Sequence, residues 1–188
     1  MLWRRWRSSV KILSPKAIAR LEEVKKIRRI PYSLDLTETI KKAQEKSQTL
    51  NTPSTINIWM FNEACKWMLS HGGIKAMDAL CKTHANYIWD FASKTDYLKP
   101  LIDKAENRSY VTVTLAVTDD KIVDADISAA LKATGLPNLQ DGIKKYSSVK
   151  QNSLRIACFP FVDIDGVGQY EKLFNAVDKI VKDLRSAK

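Results

Sequence analysis

The sequence predicts a mixed α/β fold in which short strands are covered by amphipathic helices. Apolar residues recur at three- and four-residue steps from Ile74 to Phe91 and from Tyr170 to Leu184, the period of a helix with one buried face. From Tyr110 to Val117 apolar and polar residues alternate, the period of a half-buried strand. Because helical and strand patterns follow each other along the chain, we expect an α/β sandwich.

The first helix is predicted to begin at Ser14-Pro15-Lys16. Serine is a good N-cap, and proline is favoured at the first helical position because no helical hydrogen bond needs its missing N–H. Pro31 is expected to stop this helix. From Tyr32 to Thr49 the chain is polar with few apolar residues, so we expect an exposed connection there.

Two long helices are predicted next. The first runs from about Ser54 to Ser70 and ends at Gly72-Gly73, and the second runs from about Ile74 to Ser93. His84 falls on the apolar face of the second helix, where a histidine is more often packed than catalytic.

The remaining elements are shorter. A helix is predicted from Asp124 or Asp126 to Gly135, followed by a second strand from Leu154 to Phe159. The amphipathic pattern that begins at Tyr170 then closes the chain with a helix.

The 188 residues, 45% of them hydrophobic, suffice for a domain with a core. No apolar run reaches the roughly 18 residues that span a bilayer. The three cysteines, Cys65, Cys81 and Cys158, lack metal-ligand spacing and are expected to be buried, reduced thiols. We therefore expect a cytoplasmic protein that holds no metal.

The net charge of +10 is concentrated at the start of the chain. Residues 1–30 hold ten Lys or Arg against two Glu, whereas the rest holds 21 basic and 19 acidic residues. A nearly neutral body argues against nucleic acid as a partner. The basic residues 1–11 leave two alternatives open, a polyanion-binding arm and an organelle-targeting segment.

The stretch Leu50-Asn51-Thr52-Pro53-Ser54 is predicted to bind an anion. Pro53 fixes its own φ and favours extended geometry at Thr52, so the Asn51 amide and the Thr52 hydroxyl are presented by a stiff turn. The start of the following helix also favours an anion. The alternative is a helix cap with no ligand.

Arg155 lies within an otherwise apolar strand, where an unpaired guanidinium would be very costly. Its planar fork can bind a carboxylate through two parallel hydrogen bonds. The carboxylate can belong to a structural Asp or Glu, or to a substrate.

Taken together, several motifs resemble the C-terminal part of the phosphoserine aminotransferases. This family consists of pyridoxal-phosphate enzymes of fold type I. The order and spacing of these motifs match that family over residues 12–186. The motifs are Ile12 to Ile18, Leu50 to Ser54, Trp67 to Gly73, Asn107-Arg108-Ser109, Leu154-Arg155-Ile156 and Phe159-Pro160.

The resemblance implies an aminotransferase small domain over residues 54–188, with a short, mainly antiparallel sheet covered by helices and preceded by long interdomain helices. Residues 12–53 would connect to a large domain, and residues 1–11 do not match. Asn51 and Thr52 would bind the phosphate of pyridoxal phosphate across a dimer interface, and Arg155 would bind the substrate α-carboxylate. The remaining matched residues would be scaffold.

The reaction that the resemblance implies is amino transfer between glutamate and 3-phosphohydroxypyruvate in serine biosynthesis, with phosphoserine and 2-oxoglutarate as substrates of the reverse direction. The partner would be a second copy or a complementing large domain. The family's Schiff-base lysine lies upstream of the Ser-Pro-Lys motif, so this chain alone is expected to be inactive and no residue is assigned a catalytic role. A gene fragment, half of a split enzyme and a non-catalytic interaction module all remain open.

Overall fold

The computed structural model describes residues 11–135, 143 and 150–187. The chain forms two compact units, and the division between them falls between Trp67 and Met68. Most of the basic arm predicted at residues 1–11 lies outside the described residues. The predicted boundaries at residues 11 and 53 stay predictions.

The first unit is built from helices. Helix α1 spans Pro15–Ile27, and the Ser14 hydroxyl accepts a hydrogen bond of 3.2 Å from the Ala17 N–H, which confirms the predicted cap. A short 3-10 turn, Tyr32–Leu34, leads to helix α2, Leu36–Lys46. Helix α3, Thr55–Ser70, begins in this unit and ends in the second.

The expectation of a plain connection over residues 32–49 is wrong, because α2 lies within it. The Asp35 carboxylate accepts a hydrogen bond of 2.9 Å from the Thr37 N–H and caps the helix. Hydrogen bonding from Thr37 lowers the pKa of Asp35, so the cap is ionised near neutral pH. At the other end Ser47 adopts the left-handed conformation with φ of 51°. These two ends define a helix that the weak apolar pattern did not predict.

The second unit contains a three-stranded antiparallel sheet in the order β1-β2-β3. Strand β1 spans Leu98–Pro100, β2 spans Thr112–Val117 and β3 spans Ser153–Ala157. The expected antiparallel sheet is confirmed. Strand β1 is absent from the sequence prediction, because a three-residue strand that ends in proline carries no alternating pattern.

Among the described residues of the second unit, three α-helices accompany the sheet. They are α4, Gly73–Ser93; α5, Asp124–Ala133; and α6, Gly168–Ser186. One face of α6 is buried as predicted, from Tyr170 to Val181. The core of α4 begins at Met77, so the prediction that Ile74 is buried is wrong, and Ile74 is 86% exposed.

His84 is a packed core residue, as its position on the apolar face of α4 suggested. It is fully buried, and its Nε2 atom lies 2.8 Å from the carbonyl oxygen of Asp163. Its ring centroid is 4.8 Å from that of Tyr170. These contacts join α4 to the segment before α6 and give His84 a structural role.

All three cysteines are free thiols. Cys81 and Cys158 are buried as predicted, and burial raises the pKa of Cys158 to about 12. Cys65 on α3 is only half-buried, which differs from the prediction. None of the helices in the described part of the chain is both long and apolar enough to span a membrane.

Candidate functional site

The stretch predicted to bind an anion, residues 50–54, lies in the loop that joins α2 to α3. Asn51 and Thr52 are both exposed at its centre. The Thr49 hydroxyl donates to the carbonyl oxygen of Asn51, and the Lys42 ammonium donates to that of Leu50 at 3.3 Å. These two hydrogen bonds hold the loop while its central polar side chains face solvent.

The same loop lines an open cleft of about 880 Å³. Its lining residues are Lys42, Ser47, Gln48, Thr49, Leu50, Asn51, Thr52 and Pro53. This set contains one cation and no carboxylate, and most of its side chains can donate hydrogen bonds. The chemistry of the cleft therefore favours a small anion such as a phosphate group.

Helix α3 begins directly after this loop. The Ser54 carbonyl accepts a hydrogen bond of 3.1 Å from the Ile58 N–H, so the helix starts where the sequence predicted. The first N–H groups of a helix have no acceptor within it, and its dipole is positive at that end. Both features make the neighbourhood of Asn51 and Thr52 more favourable for an anion.

Arg155 lies on β3, paired with Thr114 of β2. Leu154 and Ile156 on either side are buried in the core, and Arg155 is half-buried. Because side chains alternate along a strand, Arg155 lies on the sheet face opposite that core. The apolar neighbours Leu154 and Ile156 therefore belong to the other face of the sheet.

Further polar residues on the sheet face of Arg155 are Lys99, Thr112 and Thr114. Together with Arg155 they form the polar row. Thr112 and Thr114 are half-buried and Lys99 is exposed. The sequence analysis did not single out these companions, although the alternation in β2 contained the signal for both threonines.

The predicted site residues fall into two groups. Asn51 and Thr52 belong to the first unit, and Arg155 belongs to the second. Lys42 was missed as a cleft residue, because its helix was not predicted. No cluster of metal-ligating side chains occurs within the described ranges 11–135, 143 and 150–187. The binding roles of these three residues stay predictions.

Arg108, from the motif Asn107-Arg108-Ser109, has the structural role expected of scaffold. Its Nε and Nη2 atoms each donate a hydrogen bond of 2.8 Å, to the carbonyl oxygens of Ile102 and Asp103. Its guanidinium carbon lies 5.8 Å from the centroid of the Trp89 ring. These contacts fix the connection between β1 and β2 against α4.

Comparison with known proteins confirms the resemblance. No family model matches the chain. A phosphoserine aminotransferase of Corynebacterium glutamicum is 32% identical over 170 residues, which is 90% of this chain and 43% of that protein. One from Nocardioides sp. is 31% identical over 176 residues, 93% of this chain and 45% of that protein. This chain therefore spans less than half the length of the curated relatives that it matches.

Solved structures agree with the predicted fold. The crystal structure of a phosphoserine aminotransferase from Cytophaga hutchinsonii matches 89% of this chain and 43% of its own, with a TM-score of 0.71 and 20% identity. A Bacillus circulans phosphoserine aminotransferase matches 85% of this chain, with a TM-score of 0.64 and 21% identity. At these identities the likeness establishes the fold alone.

Proposed function

Because the chain is a relative of the phosphoserine aminotransferases that matches less than half of their length, we propose that it is the C-terminal part of a pyridoxal-phosphate-dependent phosphoserine transaminase. In this proposal the chain supplies one wall of an active site in serine biosynthesis. It acts in the cytoplasm, within an assembly that also contains a complementing large domain. The observation that supports it most strongly is the sequence match over 90% of the chain.

The residues of the cleft suit the phosphate end of the cofactor. Asn51 and Thr52 are exposed donors beside the start of α3, and the cleft lining has Lys42 but no carboxylate. Hydrogen bonds to a charged phosphate are stronger than neutral ones. We assign to these two residues the binding and orientation of the cofactor phosphate.

Arg155 would orient the substrate. Its fork can hold an α-carboxylate by two parallel hydrogen bonds, which fixes the angle of the amino acid as well as its position. The polar row places Thr112 and Thr114 beside Arg155 as additional hydrogen-bonding groups. The electron pair released at the substrate α-carbon is what pyridoxal phosphate stabilises when bound.

The lysine that transfers the α-proton is not assigned to any residue of this chain. In the proposal it comes from the large domain, so this chain alone does not transaminate. A non-catalytic interaction module is the second candidate, and the many exposed apolar side chains of α3 favour it.

The test is cofactor binding by the full chain mixed with the part of the Corynebacterium glutamicum enzyme that it does not match. Bound pyridoxal phosphate is measured by its absorbance after dialysis. The double variant Asn51→Ala/Thr52→Ala is expected to bind about 10- to 100-fold more weakly, the loss expected for hydrogen bonds to a charged group.

The matched control is Gln44→Ala, which changes an exposed residue of α2 that does not line the cleft. Gln44→Ala is expected to bind the cofactor as the parent does. Equal binding by the double variant and the parent would refute the assigned roles. Association of the two proteins without any bound cofactor would favour the interaction module.

A further inference from the structure

The basic charge near the start of the chain plays no part in the proposed function. Within the described residues 11–30, seven Lys or Arg stand against two Glu, a surplus of five positive charges. Most of these basic residues lie on α1 or directly after its end. A local surplus of one sign attracts a partner of the opposite sign. The seven are Lys11, Lys16, Arg20, Lys25, Lys26, Arg28 and Arg29.

Helix α1 carries an apolar stripe that the described residues around it do not bury. At about 100° per residue, Ala17, Leu21 and Val24 fall within roughly 60° of the helix circumference. All three are only half-buried, and α1 contains no buried residue. Because an apolar stripe on a helix normally faces an apolar environment, this stripe is available to a partner.

The charged residues of α1 are ordered around the stripe. Measured from the middle of the stripe, Arg20 and Lys25 lie about 60° and 80° away on its two sides, whereas Glu22 and Glu23 lie about 120° to 140° away. Arg20 pairs with Glu23 at 2.7 Å on the exposed surface, and Lys25 lies 3.3 Å from Asp35. An exposed ion pair is weak, so Arg20 can still bind another anion.

The same stripe lines a groove of about 560 Å³ between α1 and residues 28–34. Six of the described residues that line it are apolar, three are arginines and none is acidic. The arginines are Arg20, Arg28 and Arg29, and all three are exposed. Leu34, which is 70% exposed, extends the apolar lining to the 3-10 turn. The groove therefore presents guanidinium groups next to apolar side chains that contact water.

We infer that this surface, which consists of α1 and residues 28–34 and is called the basic face below, binds an anionic lipid membrane. The basic side chains contact the negative head groups, and the apolar stripe and Leu34 enter the boundary between head groups and acyl chains. The helix then lies in the plane of the membrane surface and does not cross it. This binding is independent of the proposed function, because none of Asn51, Thr52 and Arg155 takes part in it.

The combination of charge and apolar surface favours a membrane over other polyanions. Nucleic acid would contact the basic side chains through its phosphates, but the apolar stripe and Leu34 would stay in water. A protein partner would cover the stripe, but it would have to pair or bury Arg28 and Arg29 at its edge. An anionic membrane offers negative head groups and an apolar region at the depth of one helix, so it fits both parts of the basic face.

The experiment is sedimentation of the full chain with lipid vesicles. One set of vesicles is pure phosphatidylcholine, and the other contains about one third phosphatidylserine, an anionic lipid of the kind that basic segments bind. We expect binding to be about tenfold or more tighter with the anionic vesicles. Raising the salt from about 0.1 M to about 1 M shortens the screening length from about 10 Å to about 3 Å, and it should abolish most of this preference.

A charge-reversal variant tests the basic part of the face. Arg28→Glu/Arg29→Glu is expected to weaken binding to the anionic vesicles by about tenfold or more. Both side chains are exposed, so the change should leave the circular dichroism spectrum of the chain unchanged. The matched control is Lys172→Glu/Lys179→Glu, which makes the same change of net charge at exposed positions of α6. We expect this control to bind nearly as the parent does.

An uncharged variant tests the apolar part of the face. Leu34→Asn removes an exposed apolar side chain without changing the net charge, and it is expected to weaken binding by about fivefold or more. The matched control is Phe161→Asn, since Phe161 is 69% exposed on the second unit, and we expect no effect. Slower hydrogen exchange at the amides of α1 on addition of anionic vesicles would support the same contact.

Several results would overturn the inference. They are equal binding to the two kinds of vesicle, an equal loss from the two charge-reversal variants, and full binding by Leu34→Asn. Displacement of the chain from vesicles by single-stranded RNA, with tighter binding to the RNA, would assign the basic face to nucleic acid instead. Loss of vesicle binding on addition of the unmatched part of the Corynebacterium glutamicum enzyme, with slower exchange in α1, would assign it to a protein partner.

Discussion

Replacing Phe174 by alanine tests whether the second unit alone carries the core. Phe174 is fully buried on α6, and its ring centroid lies 4.7 Å from that of Phe91 and 6.5 Å from that of Tyr87. Deleting a buried aromatic ring costs about 3–5 kcal/mol of the free energy of unfolding. The matched change is Phe61→Ala on α3, which is 57% exposed and is expected to cost within about 0.5 kcal/mol.

The assay is urea unfolding of the full chain, followed by circular dichroism. With a slope of roughly 1–3 kcal/mol per molar urea, a loss of about 4 kcal/mol lowers the midpoint by roughly 1–4 M. Phe61→Ala should leave that midpoint nearly unchanged. An equal effect of the two variants would refute the reasoning, because residues 11–67 would then contain a core. Phe174→Leu keeps part of the side-chain volume and provides a milder change if the alanine variant does not fold.

Two further changes test contacts in the second unit. The Arg185 guanidinium donates to Asp119 at 2.8 Å, and the pKa of Asp119 is lowered by the backbone N–H of Lys121 and by Arg185. The lowered pKa of Asp119 stabilises the folded chain above the ordinary carboxyl pKa, and this stabilisation is lost as pH falls through the lowered pKa. Arg185→Ala should therefore reduce the loss of stability that occurs below about pH 4. Gly72→Ala should lower the free energy of unfolding by about 1–3 kcal/mol, because φ is +91° and the new Cβ would lie 2.8 Å from that of Ala76.

Each of these changes has a control. Asp119→Asn removes the titrating carboxyl and should flatten the same acid profile, measured as the urea midpoint against pH. An Arg185→Ala profile parallel to the parent's would contradict the coupling. Gly135 also has a positive φ, +66°, but an added Cβ would meet nothing within 4 Å. If Gly135→Ala costs as much as Gly72→Ala, the contact with Ala76 does not matter.

Two kinds of element were predicted correctly. Some bury one continuous face, and helices α1 and α3 bury no residue but have clear end signals at Ser14-Pro15 and at Gly72-Gly73. Helices α4 and α6 and strand β2 repeat their apolar residues with a regular period, because each packs on the core of the second unit. Helix α2 packs on no core, so composition alone gave it little support. Asp35 followed by Glu38 three residues later is a capping signal, and it indicates the start of this helix better than the polar composition does.

Strand β1 could not be predicted from periodicity, for a different reason. Its pairing of Leu98 with Val117 joins residues far apart in the chain, and three residues hold no detectable period. The full set of cleft residues could not be predicted from the sequence either, because it depends on contacts between residues that are apart in the chain. The loop residues Asn51 and Thr52 could be identified by type and spacing, but Lys42 enters the cleft only because α2 folds back beside the loop.

The loop and helix α3 belong to one continuous segment, so the complementing domain and the cofactor of the proposed function should be coupled. Helix α3 begins at Thr55, directly after the loop that carries Asn51 and Thr52. If the complementing domain contacts the exposed side chains of α3, it would also order the loop, and a cofactor held by the loop would in turn stabilise the assembled state. By thermodynamic linkage, the factor by which pyridoxal phosphate strengthens association must equal the factor by which association strengthens cofactor binding. Phe61→Glu should then weaken cofactor binding although it lies outside the cleft, whereas Asn51→Ala/Thr52→Ala should weaken association only when the cofactor is present.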